Sequence, residues 1–146
     1  MKKNILNNKG FTLVELLATI AILALVMGIA TFSITAIIKN SKEKNYQLLI
    51  TNIKDAAETY YQECKYSNNT GITCNNNTDG SLKTTLGELL THGYLKGNGT
   101  EGTNVITNPQ KNDADISSCS IIIKYNNGSI NVENDNSTVN KNCPTF

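Results

Sequence analysis

Residues 11–38 read FTLVELLATIAILALVMGIATFSITAII, nearly all apolar or small, and the rest of the chain is polar with apolar positions at intervals. As a helix that run would be about 42 Å long, more than the ~20 residues a bilayer crossing needs. It is apolar on every face, which suits lipid or a helical bundle and not the side of a small soluble core. The pattern then changes. In KNSKEKNYQLLITNIKDAAETYYQEC the apolar positions are Tyr46, Leu49, Ile50, Ile53, Ala57, Tyr60 and Cys64, the i, i+3, i+4, i+7 stripe of an amphipathic helix. Neither glycine nor proline interrupts the chain from Ala30 to Cys64. A continuous helix of about 50 residues, some 75–80 Å, is therefore expected, with Lys39, Lys42, Glu43 and Lys44 at the exit from the apolar half.

Residues 65–81 are rich in Asn, Thr and Gly and read as a loop. Thr85-Leu86-Gly87-Glu88 has capping-box spacing and opens a short helix over LGELLTHGYL, ended by Gly93. Leu86, Leu89, Leu90, Tyr94 and Leu95 are its candidate core residues, and Asn108-Pro109 reads as a turn. CSIIIKYNNGSINVE is the clearest strand signal. Cys119, Ile121, Ile123 and Tyr125 alternate on one face, Asn126-Asn127-Gly128 turns the chain, and Ile130 and Val132 face inward on the return. Two or three strands are marginal alone, so the hairpin is expected to lie across the amphipathic helix. The fold class is α+β: a long N-terminal helix packed on a small antiparallel sheet.

Composition sharpens this. The chain has 146 residues and net charge +1, which gives no global field for nucleic acid. Lys2, Lys3 and Lys9 all precede the apolar run, which places the N-terminus on the cytoplasmic side if the run spans a membrane. Cys64, Cys74, Cys119 and Cys143 all follow it and would then share the outer side, where disulfides persist. Four cysteines allow three pairings. Cys64–Cys74 and Cys119–Cys143 are favoured: the first pins the loop to the helix end, and the second ties the C-terminal tail to the hairpin. Each closed loop is worth about 2–4 kcal/mol, a large share for a head with few large apolar residues. No CxxC pattern occurs and His92 is the sole histidine, so no metal or other cofactor is expected.

Glu15 is the anomaly. An acid at the centre of a spanning helix costs about 2.5–3.5 kcal/mol on insertion scales. A plain signal anchor leaves it unexplained, as does a cleavable signal peptide cut near Gly28-Ile29-Ala30. Lys9-Gly10-Phe11-Thr12-Leu13-Val14-Glu15-Leu16-Leu17 closely resembles the class III signal of type IV pilins and pseudopilins. The resemblance implies a leader of residues 1–10 removed by a prepilin peptidase between Gly10 and Phe11, and N-methylation of Phe11. It also implies a membrane and polymerisation helix over 11–38 and a helix continuation with globular head over 39–146. The new amine on Phe11 would lie four residues from Glu15 and would meet a neighbour's Glu15 on assembly. One departure is Phe32, where many members of that family carry a proline; Gly28, Thr31, Ser33 and Thr35 are the weak helix formers nearby.

No GxSxG, HExxH, P-loop or GxGxxG pattern is present, and His92 has no acid or nucleophile at suggestive spacing. The Asn-x-Ser/Thr triplets at Asn68, Asn76, Asn98, Asn127 and Asn136 are expected by chance at this Asn content. No enzyme activity is therefore expected. The leading expectation is a structural subunit that begins as a single-pass precursor in the cytoplasmic membrane. It would meet the peptidase and the pilus assembly machinery, then polymerise with itself into a surface filament or pseudopilus for adhesion, motility, DNA uptake or secretion. Direct nucleic-acid binding ranks low, since no Lys- or aromatic-rich stripe is visible in the head. The alternative is a monomeric membrane-anchored ectodomain that binds a ligand.

Overall fold

The computed structural model of the chain describes residues 11–66, 74–99, 104–135 and 140–146, with backbone alone at 30–33. The predicted leader, Gly10 included, and residues 67–73 of the predicted loop lie outside the described residues. A single helix, α1, runs Leu13–Tyr66 over 54 residues. The chain then follows β1 (Asn75–Asn76), β2 (Leu82–Thr85), α2 (Leu86–Thr91), β3 (Thr107–Asn108), a 3-10 turn (Pro109–Lys111), β4 (Ala114–Asp115), β5 (Ser120–Asn126) and β6 (Ser129–Asn134). This is the expected α+β layout. It falls into two compact units, one ending at Asn40 and the other running Ser41–Phe146.

From Leu13 onward the described part of the first unit is helix. Gly28 does not interrupt it, and a Cβ there would meet nothing within 4 Å. The second unit has a core. Tyr46, Leu49, Ile50, Ile53, Ala57 and Tyr60 of the predicted stripe are buried, Ala56 with them, while Lys54, Asp55 and Glu58 face water. Burial of this stripe, rather than intrinsic propensity, is what stabilises that half of α1.

Four antiparallel strands form a sheet in the order β1-β2-β5-β6. Leu82 pairs with Ile123 and Ile123 with Val132; Thr84 pairs with Ile121. These five side chains are all buried, and the four apolar ones share one cluster with Leu49, Ile53, Ala57 and Tyr60 of α1. On the other face Lys83 reaches Asp135 at 2.5 Å and Lys124 reaches Glu133 at 2.6 Å. The β5–β6 turn places Asn127 and Gly128 at φ 50° and 86°. Positive φ at both positions is the two-residue type I′ geometry, which glycine adopts without strain.

α2 carries the predicted cap. Thr85 Oγ1 accepts from the Glu88 amide at 3.1 Å, and Glu88 Oε2 accepts from the Thr85 amide at 3.0 Å. The same carboxylate accepts from Thr84 Oγ1 at 2.7 Å, which satisfies a buried hydroxyl on the sheet's inner face. Gly87 donates its amide to Ser117 O at 2.7 Å. A Cβ there would lie 3.0 Å from that oxygen, so a larger residue fits only if the Ser117 carbonyl gives way by a few tenths of an ångström.

The structure has more strands than the hairpin pattern suggested. β1 lies within the predicted loop and pairs with β2, and β3 with β4 forms a second, two-stranded sheet. The Asn108-Pro109 turn is a 3-10 turn capped by Asn108 Oδ1, which accepts from the Gln110 amide at 3.0 Å. Asn108 is 1% exposed and donates Nδ2 to Asn142 O at 2.8 Å. Disulfides join Cys64 to Cys74 and Cys119 to Cys143, with Cα atoms 5.8 Å apart in each. Beyond the second bond Pro144 is fully buried and Phe146 packs on the core. The Thr145 amide donates to the Tyr46 hydroxyl at 3.0 Å.

Candidate functional site

Four amide N–H groups at the start of any α-helix lack an intrahelical acceptor, and at α1 they face an all-apolar sequence. Thr12 and Glu15 supply acceptors. Thr12 Oγ1 accepts from the Glu15 amide at 3.3 Å, and Glu15 Oε2 accepts from the Thr12 amide at 2.9 Å. Thr12 Oγ1 also donates to Glu15 Oε2 at 2.9 Å. This is the reciprocal geometry of a capping box, threonine at the cap and glutamate three residues on. Glu15 also sets a negative charge in the first turn, where the helix dipole favours it. The T-x-x-E spacing was present in Thr12-Leu13-Val14-Glu15, yet the resemblance to a processing signal drew attention to the glutamate's charge and hid its local role.

Around this polar knot the surface is hydrophobic. Among the described side chains of residues 11–38, the large apolar ones are 50% (Ile38) to 81% (Phe11) exposed. None faces a core of its own, so the unit presents apolar surface on all sides. α1 thus contains a stretch long and apolar enough to cross a membrane. Exposed apolar surface of this extent marks a membrane or subunit interface.

Phe11 and Glu15 sit together at the helix start, while Gly10 lies outside the described residues. The four cysteines belong to the second unit and hold it closed. His92 is the exposed C-cap residue of α2, its ring 6.4 Å from that of Tyr94. No group of three or more His, Cys, Asp or Glu gathers among the described residues to hold a metal. Tyr94 donates a short hydrogen bond to Glu63 Oε2. Burial, and then this carboxylate, push its hydroxyl up to about 12, and both groups serve packing between α1 and the segment after α2.

No significant match exists among curated proteins or among solved structures. The family model for the prokaryotic N-terminal methylation motif matches residues 5–31. That span takes in Lys9, Gly10 and Phe11, the capping pair Thr12 and Glu15, and most of the exposed apolar helix. The chain therefore carries the prokaryotic N-terminal methylation motif, the class III signal of type IV pilin and pseudopilin precursors.

Proposed function

We propose that the chain is a prepilin. A prepilin peptidase cuts between Gly10 and Phe11, Phe11 is N-methylated, and the mature chain polymerises through residues 11–38 into a type IV pilus or a related filament. The second unit forms the head of each subunit. The observation that carries this reading is a polar pair, Thr12 with Glu15, at the tip of a helix whose described large apolar side chains up to Ile38 are all exposed.

Lipid tails are as apolar as leucine, so moving the helix from lipid into a bundle gains little from the hydrophobic effect. Packing and polar contacts must then select the arrangement. In the precursor Glu15 is satisfied within its own first turn. Cleavage creates a positive amine on Phe11, next to Thr12. A neighbour's amine brought against Glu15 in a dry bundle forms an ion pair, whereas a misplaced subunit leaves both charges uncompensated, at a cost of several kcal/mol. The pair therefore fixes the stagger between subunits. Head-to-tail contacts of this kind do not close on themselves and propagate as a helical filament.

The test is shearing of cells that express the chain with prepilin peptidase and assembly machinery. Wild type is expected in the sheared filament fraction, and Glu15→Ala in the membrane fraction alone. Wild-type chain confined to membranes, or Glu15→Ala recovered in filaments at the wild-type level, would contradict the proposal.

A further inference from the structure

The sequence shows no stripe of aromatic and basic residues, but the fold assembles a small one. Where the last turns of α1 pass the tip of the β5–β6 hairpin, a cleft of about 560 Å³ opens, lined by Tyr61, Lys65, Asp79, Lys124, Tyr125 and Asn126 among others. Its volume is that of a small-ligand site, typically about 300–1,000 Å³. Tyr61 and Tyr125 stack with ring centroids 5.8 Å apart and planes 15° from parallel, and the Lys65 ammonium lies 5.6 Å from the Tyr61 centroid. Tyr61 is thus engaged, while Tyr125 remains 56% exposed and offers open ring surface.

Sheet register leaves the cleft polar beside that ring. The β2–β5 ladder ends at Leu82 and Ile123, whereas β5 stays paired with β6 as far as Asn126 and Ser129. Cys119 O accepts from the Leu86 amide on the β2 side. The two-residue alternation of an antiparallel strand sends the main-chain groups of Tyr125 toward the same side, past the end of β2. Asp79 is held by Oδ1, which accepts from the Ser81 amide at 3.0 Å and from Ser81 Oγ at 2.6 Å. Asp79 and Asn126 are exposed, so the outer edges of the Asp79 carboxylate and the Asn126 side-chain amide are open to a ligand. An open ring is therefore edged by donors and acceptors of both kinds.

Charge decides the class of ligand. Lys65 and Lys124 are offset by Asp79 and by Glu133, the ion-pair partner of Lys124. The site is neutral as a whole. A polyanion draws its affinity from releasing counterions to a net positive surface, which this cleft lacks. A pyranose fits better: its C–H face matches an aromatic ring, and its hydroxyl rim both donates and accepts. We propose that this cleft binds a neutral glycan, with one sugar ring stacked on Tyr125 and its hydroxyls on Asp79 and Asn126. Such a site would let the head adhere to a glycosylated surface.

The full chain, in a polyoxyethylene detergent that contains no sugar, is the sample for saturation-transfer difference NMR. Lactose, cellobiose and N,N′-diacetylchitobiose are the probes, with octathymidylate as the polyanion. Transfer to the ring protons of at least one disaccharide is expected. Tyr125→Phe should keep it, and Tyr125→Ala and Asn126→Ala should each weaken binding about tenfold or more, as loss of a stacked ring or a hydrogen-bonding fork does. Circular dichroism matching wild type shows that each variant folds. The proposal is overturned by absence of transfer from all three sugars, by transfer unchanged in both folded alanine variants, or by tighter, salt-sensitive binding of octathymidylate. None of these outcomes depends on whether the chain polymerises.

Discussion

The observed role of Glu15 and its proposed one can be separated by substitution. Its carboxylate caps the first turn with Thr12, and under the proposed function its charge is what a neighbour's amine meets. Glutamine at the third position of a capping box also reaches back to the cap amide. Glu15→Gln therefore retains the cap and removes the charge, while Glu15→Ala removes both. If charge sets subunit register, the two variants fail alike in a shear assay. Assembly by Glu15→Gln but not by Glu15→Ala would assign the role to the cap. Asp115 offers a simpler titration. Its Oδ1 accepts from the Ser117 amide at 2.8 Å, and hydrogen bonds from Ser117, backbone first, hold its carboxyl below the usual aspartate range. A folded pKa below the unfolded one gives stability that is present at neutral pH and lost as pH falls through the folded value. The difference in Tm between wild type and Asp115→Asn should accordingly shrink as pH is lowered from 6 toward 2. A difference that stays constant over that range would show that ionisation of Asp115 is not involved.

Elements with a strong period were legible and those without one were not. The stripe from Tyr46 to Cys64 announced the amphipathic half of α1; the side chains named from it are buried as far as Tyr60, Cys64 is half-buried, and Ala56 is buried without having been named. Thr85, Glu88 and Gly93 announced both ends of α2, and Asn127-Gly128 announced the hairpin turn. β1, β3 and β4 have two residues each, too few to alternate, and their Asn, Thr and Asp residues belong to turns by propensity. β2 was missed because of its Leu-Lys-Thr-Thr only Leu82 is apolar; Thr84 is buried because Glu88 accepts its hydroxyl, a contact made by the fold. Glu88 therefore serves helix and sheet together. Thr85→Ala should lower stability by about 0.5–2 kcal/mol, the usual value of a cap. Glu88→Ala should cost more, since it also removes the 2.7 Å acceptor of the buried Thr84 hydroxyl. Chemical denaturation checks both, and an equal loss would rule out the second role.

At the scale of the molecule, the two units are stabilised differently. Residues up to Asn40 bury none of their described large apolar side chains; under the proposed function, lipid and then other copies of the chain cover them. Residues from Ser41 onward have a core closed by two disulfides. The Cys119–Cys143 bond holds the tail whose Thr145 meets Tyr46 and whose Pro144 is buried. Its removal by Cys119→Ser with Cys143→Ser should cost about 2–4 kcal/mol and lower the Tm of the head. An unchanged Tm would show that the tail stays docked without it. The processing signal was legible because chemistry fixes its order: basic residues, glycine, phenylalanine, then an acid four residues on. The cleft at Tyr61 and Tyr125 was not, because those rings lie 64 positions apart and only the pairing of α1 with β5 unites them. Cleavage after Gly10 decides whether the chain is a prepilin. Mass spectrometry of the mature chain, purified from cells with prepilin peptidase, reads it out. An N-terminus at Phe11 carrying one methyl group is expected. An intact Met1, or a start near Thr31, would contradict it.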